Sequence, residues 1–260
     1  MIAIVDYGVG NLRSVENALK RLGAEYILTS DPETIRTASK VILPGVGNVA
    51  EAMANLREKG LVEAIRARRK PLLGICVGMQ VLCRYSEEGD TQCIGLFDTD
   101  VLKFNQVSGS RAESGYALPE TIAALGMPEG GARWKRVIAA GDDEVDSGKG
   151  ERSSVSCEAK FQECIPAQPD ALIPELKIPH MGWNRINNLS SKLFKNIDEG
   201  TYVYFVHSYR PQICRDTIAT TDYGGLFSCA LKYENFYGTQ FHPEKSGDAG
   251  EAILKNFLAL

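Results

Sequence analysis

The sequence predicts an α/β protein: a mixed, mainly parallel sheet with helices on both faces, interrupted by one inserted segment. Two observations carry that expectation. Short apolar runs at residues 2–5, 41–43 and 72–75 alternate with stretches whose apolar residues recur at helical spacing, and a strand that is apolar throughout is one covered on both faces. Loops containing glycine then follow each of these strands, at 6–11, 44–48 and 74–78. In such sheets the loops at the carboxyl ends of the strands form the ligand crevice.

The elements follow in order. Residues 2–5 give a first strand, and Leu12, Val15, Ala18, Leu19 and Leu22 give a helix closed by Gly23 as its C-cap. Residues 25–29 form a second strand, and Asp31-Pro32-Glu33 opens a short helix with a cap and a proline in its first turn. After the third strand, one helical pattern runs through Met53 and Leu56 to Gly60 and another through Leu61 and Ile65. The basic run Arg66, Arg68, Arg69 and Lys70 stands where that helix ends, so it reads as a solvated end complementing the helix dipole. The fourth strand leads into Cys76 and a helical pattern of Met79, Val81, Leu82 and Tyr85.

From about 107 to 175 glycine, serine and acidic residues dominate, and Pro166, Pro169 and Pro174 cluster. Only 121–125, as an amphipathic segment, and 134–139, as a strand, look ordered there. The stretch reads as an inserted subdomain or mobile segment within a single domain spanning 1–260. Core-like sequence returns at 178–184. Strands at 202–206, 217–221, 227–231 and 237–241, joined by short turns, make a more antiparallel sheet edge. Ile253, Leu254, Phe257 and Leu258 end the chain in an amphipathic helix.

Composition narrows the function. The 260 residues carry a net charge of −4 and no basic stripe with interleaved aromatics, so nothing points to nucleic acid. No apolar run approaches the ~18 residues of a membrane span, and the first six residues turn acidic too soon for a signal peptide. Seven cysteines (Cys76, Cys83, Cys93, Cys157, Cys164, Cys214, Cys229) without a Cys-x-x-Cys argue against a zinc ribbon or a disulfide framework and for a reducing, cytosolic setting. Gly8-x-Gly10 has Arg13 where a dinucleotide fingerprint needs its third glycine. Neither a metal nor a cofactor is expected.

Chemistry centres on Gly74-Ile75-Cys76-Val77-Gly78, a Gly-x-Cys-x-Gly between strand and helix. That is the layout of a nucleophile elbow: a sharp turn strains the nucleophile's backbone, and glycines two residues away make room for it. The helix N-terminus behind the sulfur favours thiolate. A thiol nucleophile needs a base and a group to orient it. His242, directly after a predicted strand, has Glu244 two residues on to fix its tautomer. His180 and His207 lack such a carboxylate and rank below it as structural residues. The backbone N–H of Val77 supplies one oxyanion-hole donor, and the 45–47 loop is the natural source of the second.

These residues together resemble a known family. Residues 74–80 (Gly-Ile-Cys-Val-Gly-Met-Gln) with 240–244 (Gln-Phe-His-Pro-Glu) look like the class I (triad) glutamine amidotransferases, whose fold is flavodoxin-like. More narrowly, the motifs at 6–11, 44–47, 179–184, 204–209 and 242–246 are similar to the glutaminase subunits of imidazole glycerol phosphate synthases, of histidine biosynthesis. The resemblance covers about 1–106 and 176–260; the insert has no counterpart in the usual subunit. It implies that Cys76 attacks the carboxamide of L-glutamine, with His242 as acid and base and Glu244 orienting it. Val46, Gly47 and Val77 would form the oxyanion hole, after a flip of the 46–47 loop. Gln80, Ser208 and Tyr209 would hold the amino acid end of the substrate. It also implies a heterodimer with a (β/α)8-barrel cyclase subunit that receives the ammonia, with Asn11, Pro179, Met181, Trp183 and Lys245 at or near that interface. An amidotransferase serving another acceptor, a cysteine hydrolase of peptides or γ-glutamyl conjugates, and a non-catalytic binding domain are the competing readings. The 6–11 and 179–184 motifs, Gln80 and the intact triad speak against them respectively.

Overall fold

A computed structural model describes residues 1–104 and 176–260. The ordered pieces expected at 121–125 and 134–139 lie outside the described residues. Four strands from the first third of the chain are parallel neighbours: β1 (Ile2–Val5), β2 (Tyr26–Thr29), β3 (Lys40–Gly45) and β4 (Leu72–Cys76), in the order β4-β3-β1-β2. Every residue of β1 and β4 is buried, which is why these strands read as unbroken apolar runs.

Helices α1 (Leu12–Arg21), α2 (Pro32–Thr37), α3 (Val49–Glu58) and α4 (Leu61–Arg66) connect them. The start of α2 is the one the sequence marks, and α1 and α3 are capped in the same way. Asn11, Asp31 and Asn48 each accept a hydrogen bond from a backbone N–H of the first turn, at 3.3 Å (Ser14), 2.8 Å (Thr34) and 2.7 Å (Ala50). α2, α3 and α4 pack as one group. α1 packs with the Pro243–Lys245 turn and, through the Arg21–Glu251 ion pair at 2.7 Å, with the closing helix α6 (Gly247–Leu258).

The strand β4 passes into α5 (Val77–Gln80), which is much shorter than the pattern through Tyr85 predicts. The reason is a competition for carbonyls. Those of Val81, Leu82 and Cys83 accept from the backbone N–H groups of Ile94, Leu96, Phe97 and Gly95 instead of continuing a helix, so the apolar spacing there reflects burial from all sides. Tyr85 instead begins β5 (Tyr85–Ser86). With β6 (Thr91–Gln92), β7 (Asp100–Lys103) and β10 (Tyr209–Pro211) it builds a small second sheet in the order β10-β7-β5-β6.

The core-like stretch that begins at 178 forms β8 (His180–Arg185), antiparallel to β9 (Tyr202–His207). Alternation along this pair turns His180, Val203, Phe205 and His207 inward, while Met181, Trp183, Arg185 and Tyr202 are exposed. The main sheet is completed by β13 (Phe236–Thr239), parallel to β4, then antiparallel β12 (Leu226–Tyr233) and β11 (Thr217–Asp222). The more antiparallel edge is therefore part of the same sheet. Among the described residues no helix is long and apolar enough to cross a membrane.

The basic run after α4 is not the solvated end that the sequence predicts. Arg68 is fully buried, and its guanidinium donates to the carbonyls of Ile35, Ala38 and Pro71. Those carbonyls lie where α2 ends and β4 begins; the cation satisfies the end of α2 and shares the Pro71 carbonyl with the Val41 N–H. Burial lowers its pKa to about 10.

The elbow itself depends on close backbone contact. β3 and β4 are paired so that Gly45 lies beside Cys76, and a Cβ on Gly78 would run into the Leu43 carbonyl oxygen. Replacing Gly78 with alanine is expected to cost about 3 kcal/mol or more of unfolding free energy, because backbone rather than a flexible side chain must move. Urea denaturation checks this; a loss below about 1 kcal/mol would mean the elbow tolerates looser packing.

Candidate active site

Cys76 stands at the carboxyl end of β4 with φ +55° and ψ −112°, a backbone conformation outside the ordinary regions for an L-residue. Such strain persists only where the surroundings over-determine it. Here Gly74 and Gly78 allow it, since a Cβ on Gly74 would lie 2.5 Å from the Gly78 carbonyl oxygen. Val77 begins α5 directly behind the sulfur, which places its N–H at a helix start.

His242 and Glu244 come from the chain just past β13, and β13 is the neighbour of β4. His242 Nδ1 bonds Glu244 Oε1 at 2.7 Å, and both side chains are 1 % exposed. With Nδ1 spoken for, Nε2 is the nitrogen left for proton transfer, and it has no hydrogen-bond partner among the described residues. The Cys76 sulfur lies close enough to the ring to help hold its proton. Burial by itself would lower the imidazolium pKa, but the Cys76 sulfur and the Glu244 carboxylate outweigh it and raise the pKa to about 10. A histidine so placed holds its proton through neutral pH and can deliver it to a leaving amine.

Strand β9 grips both halves of the site through its backbone. The Tyr204 carbonyl accepts from the His242 N–H at 2.9 Å, and the Val206 carbonyl accepts a weak bond from the Cys76 thiol at 3.9 Å. Ser246 Oγ links the same elements, donating to the His242 carbonyl at 2.6 Å and accepting from Tyr204 N at 3.0 Å.

The 46–47 loop is pinned at its two ends. The buried Tyr7 hydroxyl donates to the Pro44 carbonyl at 2.8 Å, while Asn48 caps α3 and Glu88 Oε2 accepts from Val49 N at 2.8 Å. Val46 and Gly47 between them are partly exposed and exposed, and Gly47 has φ +89°. The loop thus starts beside Cys76, where a second oxyanion donor is needed.

Gln80 is 2 % exposed and spends both amide hydrogens internally, on the Tyr209 carbonyl (3.1 Å) and Gln240 Oε1 (2.9 Å). What it can offer a ligand is its Oε1 acceptor. Tyr209 enters this network by its carbonyl rather than its phenol, and Ser208 is half-buried beside it. Of the interface candidates, Met181 and Trp183 are 63 % and 55 % exposed on β8. Pro179 precedes them, exposed. Lys245 Nζ lies 5.9 Å from the centre of the Tyr204 ring, which is itself edge-to-face with Trp183 at 6.1 Å. Asn11 is partly exposed at the start of α1, which packs on the Pro243–Lys245 turn. These positions therefore fall on surfaces adjoining the triad.

Sequence reasoning assigned no role to Gln240, Tyr204, Val206 or Ser246. Gln240 is two residues from His242 in sequence, yet only the fold brings it to Cys76, with Nε2 3.6 Å from Sγ. Among the described residues no group of histidines, cysteines and carboxylates has the arrangement of a metal site.

A cysteine on a strained elbow with a buried His–Glu pair at the next strand is the site of a thiol amidotransferase or hydrolase. The family model "Glutamine amidotransferase class-I" matches residues 3–260, and the chain belongs to that family. At 41 % identity over the whole chain and 99 % of the relative's length, it is similar to the imidazole glycerol phosphate synthase subunit HisH of Bacteroides fragilis. It is 39 % identical, with the same coverage, to that of Bacteroides thetaiotaomicron and 34 % to that of Vibrio parahaemolyticus, covering 100 % and 98 %. Among solved structures, a glutamine amidotransferase superposes with TM-score 0.56 at 15 % identity over 100 % and 98 % of the two chains. PurLQS from Thermotoga maritima does so with TM-score 0.54 at 16 % identity over 99 % and 97 %. At those identities the likeness establishes the fold.

The raised His242 pKa makes a pH prediction. Its charged form is favoured in the folded protein, so the contribution is complete below the unfolded value near 6.5 and is lost as pH rises through about 10. Glu244→Gln removes one of the charges holding the proton. The alkaline limb of the rate profile is expected to move down by about one pH unit or more. An unmoved limb, measured as glutamate release against pH, would take the carboxylate out of this role.

Proposed function

We propose that this chain is the glutaminase subunit of an imidazole glycerol phosphate synthase. It hydrolyses L-glutamine to glutamate and ammonia and passes the ammonia to a (β/α)8-barrel cyclase subunit that makes imidazole glycerol phosphate and AICAR in histidine biosynthesis. One observation carries the reading: the Cys76–His242–Glu244 arrangement sits in a chain 41 % identical from end to end to a HisH subunit.

The chemistry follows from the geometry. The Cys76 thiolate adds to the carboxamide carbon, and the oxygen takes the negative charge facing the Val77 N–H and the N–H groups of the 46–47 loop. His242 Nε2 gives its proton to the departing nitrogen, the C–N bond breaks, and ammonia leaves a glutamyl thioester. The now neutral imidazole removes a proton from water, whose oxygen attacks the thioester. Collapse breaks the C–S bond and releases glutamate. Gln80 Oε1 and the 208–209 stretch receive the amino acid end of the substrate. Cys76 is only 4 % exposed, a setting that suits a narrow carboxamide chain better than a peptide backbone; this favours glutamine over a peptide.

Met181, Trp183, Tyr204 and Lys245 form the docking face for the cyclase subunit, with Asn11 and Pro179 at its border. An exposed tryptophan backed by tyrosine has the character of an interface anchor. The β9 backbone ties that face to His242 and Cys76, so docking can reach the catalytic groups. The segment at about 107–175 is an insert into a single domain of 1–260, and the working compartment is the cytoplasm.

Cys76→Ser is expected to abolish glutamate release from glutamine, measured with the barrel cyclase and its nucleotide ligand present, while leaving the fold intact. Glutamate release surviving that change would remove Cys76 as nucleophile. Trp183→Ala should weaken binding of the cyclase by about 2 kcal/mol, roughly thirtyfold in Kd. Calorimetric titration giving an unchanged affinity would place the docking face elsewhere.

A further inference from the structure

Behind Cys76 a single file of hydrogen bonds runs through the protein and ends on fixed acceptors at both sides. The Tyr209 carbonyl can only accept, so the two groups facing it must donate: Gln80 Nε2 at 3.1 Å and His207 Nδ1 at 2.8 Å. With Gln80 so oriented, its second amide hydrogen goes to Gln240 Oε1 at 2.9 Å, which turns Gln240 Nε2 to the Cys76 sulfur at 3.6 Å. Gln240 is fully buried. Flipping its amide would set an oxygen against the sulfur and two N–H groups against each other, so the donor to sulfur is determined.

On the other side His207 carries its proton on Nδ1, so Nε2 accepts from His180 Nδ1 at 2.9 Å. His180 Nε2 in turn accepts from Asn184 Nδ2 at 3.2 Å, and that amide is fixed by donating also to the Asp222 carbonyl at 3.0 Å. Each imidazole is therefore neutral with its proton on Nδ1; an added proton on either Nε2 would point at another N–H. Burial works in the same direction, lowering the pKa of His180 to about 4 and of His207 to about 3. The His180 ring is clamped between Tyr223, stacked at 3.9 Å, and Phe205, stacked at 4.7 Å.

We propose that the Gln240 carboxamide is the hydrogen-bond donor that stabilises the Cys76 thiolate, and that the neutral His180–His207 pair is a positioning device that holds this donor through the Tyr209 carbonyl and Gln80. Gln240 touches the reacting atom and acts as a catalytic residue; the two histidines act through others. The proposal rests on Cys76 being the nucleophile. It deepens that assignment by naming what stabilises the sulfur besides His242. The ionisable side chains that face the sulfur are His242, from the turn after β13, and Tyr7, from the loop after β1, whose own pKa is raised by burial and by that sulfur. The Gln240 amide meets the same sulfur at 3.6 Å as an uncharged donor, beside the His242 imidazolium whose proton that sulfur helps to hold. The file also begins on β8, the strand that carries Met181 and Trp183, so a shift of that strand is transmitted to the nucleophile as a change in one amide.

The test is the pH dependence of iodoacetamide alkylation at Cys76 in the full-length chain, followed by mass spectrometry of the Cys76 peptide so that the other cysteines do not interfere. Gln240→Met, which keeps the length and removes the donor, is expected to raise the midpoint of alkylation by about one pH unit, a tenfold loss of thiolate at fixed pH. His180→Phe, which keeps the stacking and removes both ring nitrogens, is expected to raise it by a smaller amount and to lower kcat for glutamate release more than it raises KM. A wild-type midpoint in Gln240→Met overturns the donor, and a wild-type midpoint in His180→Phe overturns the positioning pair. Where Gln240→Met does not fold, His180→Phe carries the test of the whole file. Alkylation reads the acidity of Cys76 whether or not it attacks glutamine. Glutamate release by Cys76→Ser would therefore sink the nucleophile assignment, whereas an unshifted alkylation profile would sink only the inference drawn from it.

Discussion

The close seating of α5 on β3 and β4 is the constraint on which the rest of the site depends. Gly78 lies against the Leu43 carbonyl, Gly74 against the Gly78 carbonyl, and Gly45 beside Cys76. With no side chains between them, the backbones approach closely enough to hold Cys76 at φ +55°. That conformation brings the sulfur out over the end of the sheet and puts the first N–H of α5 behind it. Larger residues at those glycines would move the helix away, and the nucleophile would relax into an ordinary turn.

Around that fixed point the molecule arranges groups of contrasting protonation. His242 is held protonated by a carboxylate and by the sulfur, and it carries the proton that must move. His180 and His207, also buried, are held neutral because each is flanked by an N–H donor and a neighbour that accepts. Three histidines of one chain thus do different work, and what differs between them is the partner each ring nitrogen faces. Only a buried, water-poor setting makes such partners decisive, since in water each ring would find a compensating hydrogen bond.

Strand β9 joins these groups to the surface. Its carbonyls at Tyr204 and Val206 face His242 and Cys76, its end carries His207, and its exposed neighbours on β8 are Met181 and Trp183. A partner seated on that hairpin is one strand away from Cys76 and His242. The path from that hairpin to Cys76 and His242 is short and runs through backbone hydrogen bonds rather than through a long chain of side chains.

By itself the sequence determined those features whose parts are neighbours along the chain. The elbow at 74–78, His242 with Glu244, the cap at Asp31, and the buried parallel strands are all local patterns, and all are seen. What the tertiary structure decided has partners far apart. Arg68 leaves the solvated helix end because carbonyls some thirty residues away need a donor. The helix after Cys76 stops at Gln80 because residues 94–97 take its carbonyls. Gln240 reaches Cys76 across 164 positions, and His180 meets His207 across 27. Sequence periodicity records which side of an element is buried. It does not record which polar group waits on the other side, because a hydrogen bond is settled by distance and direction in space, and these exist only once the sheet has formed.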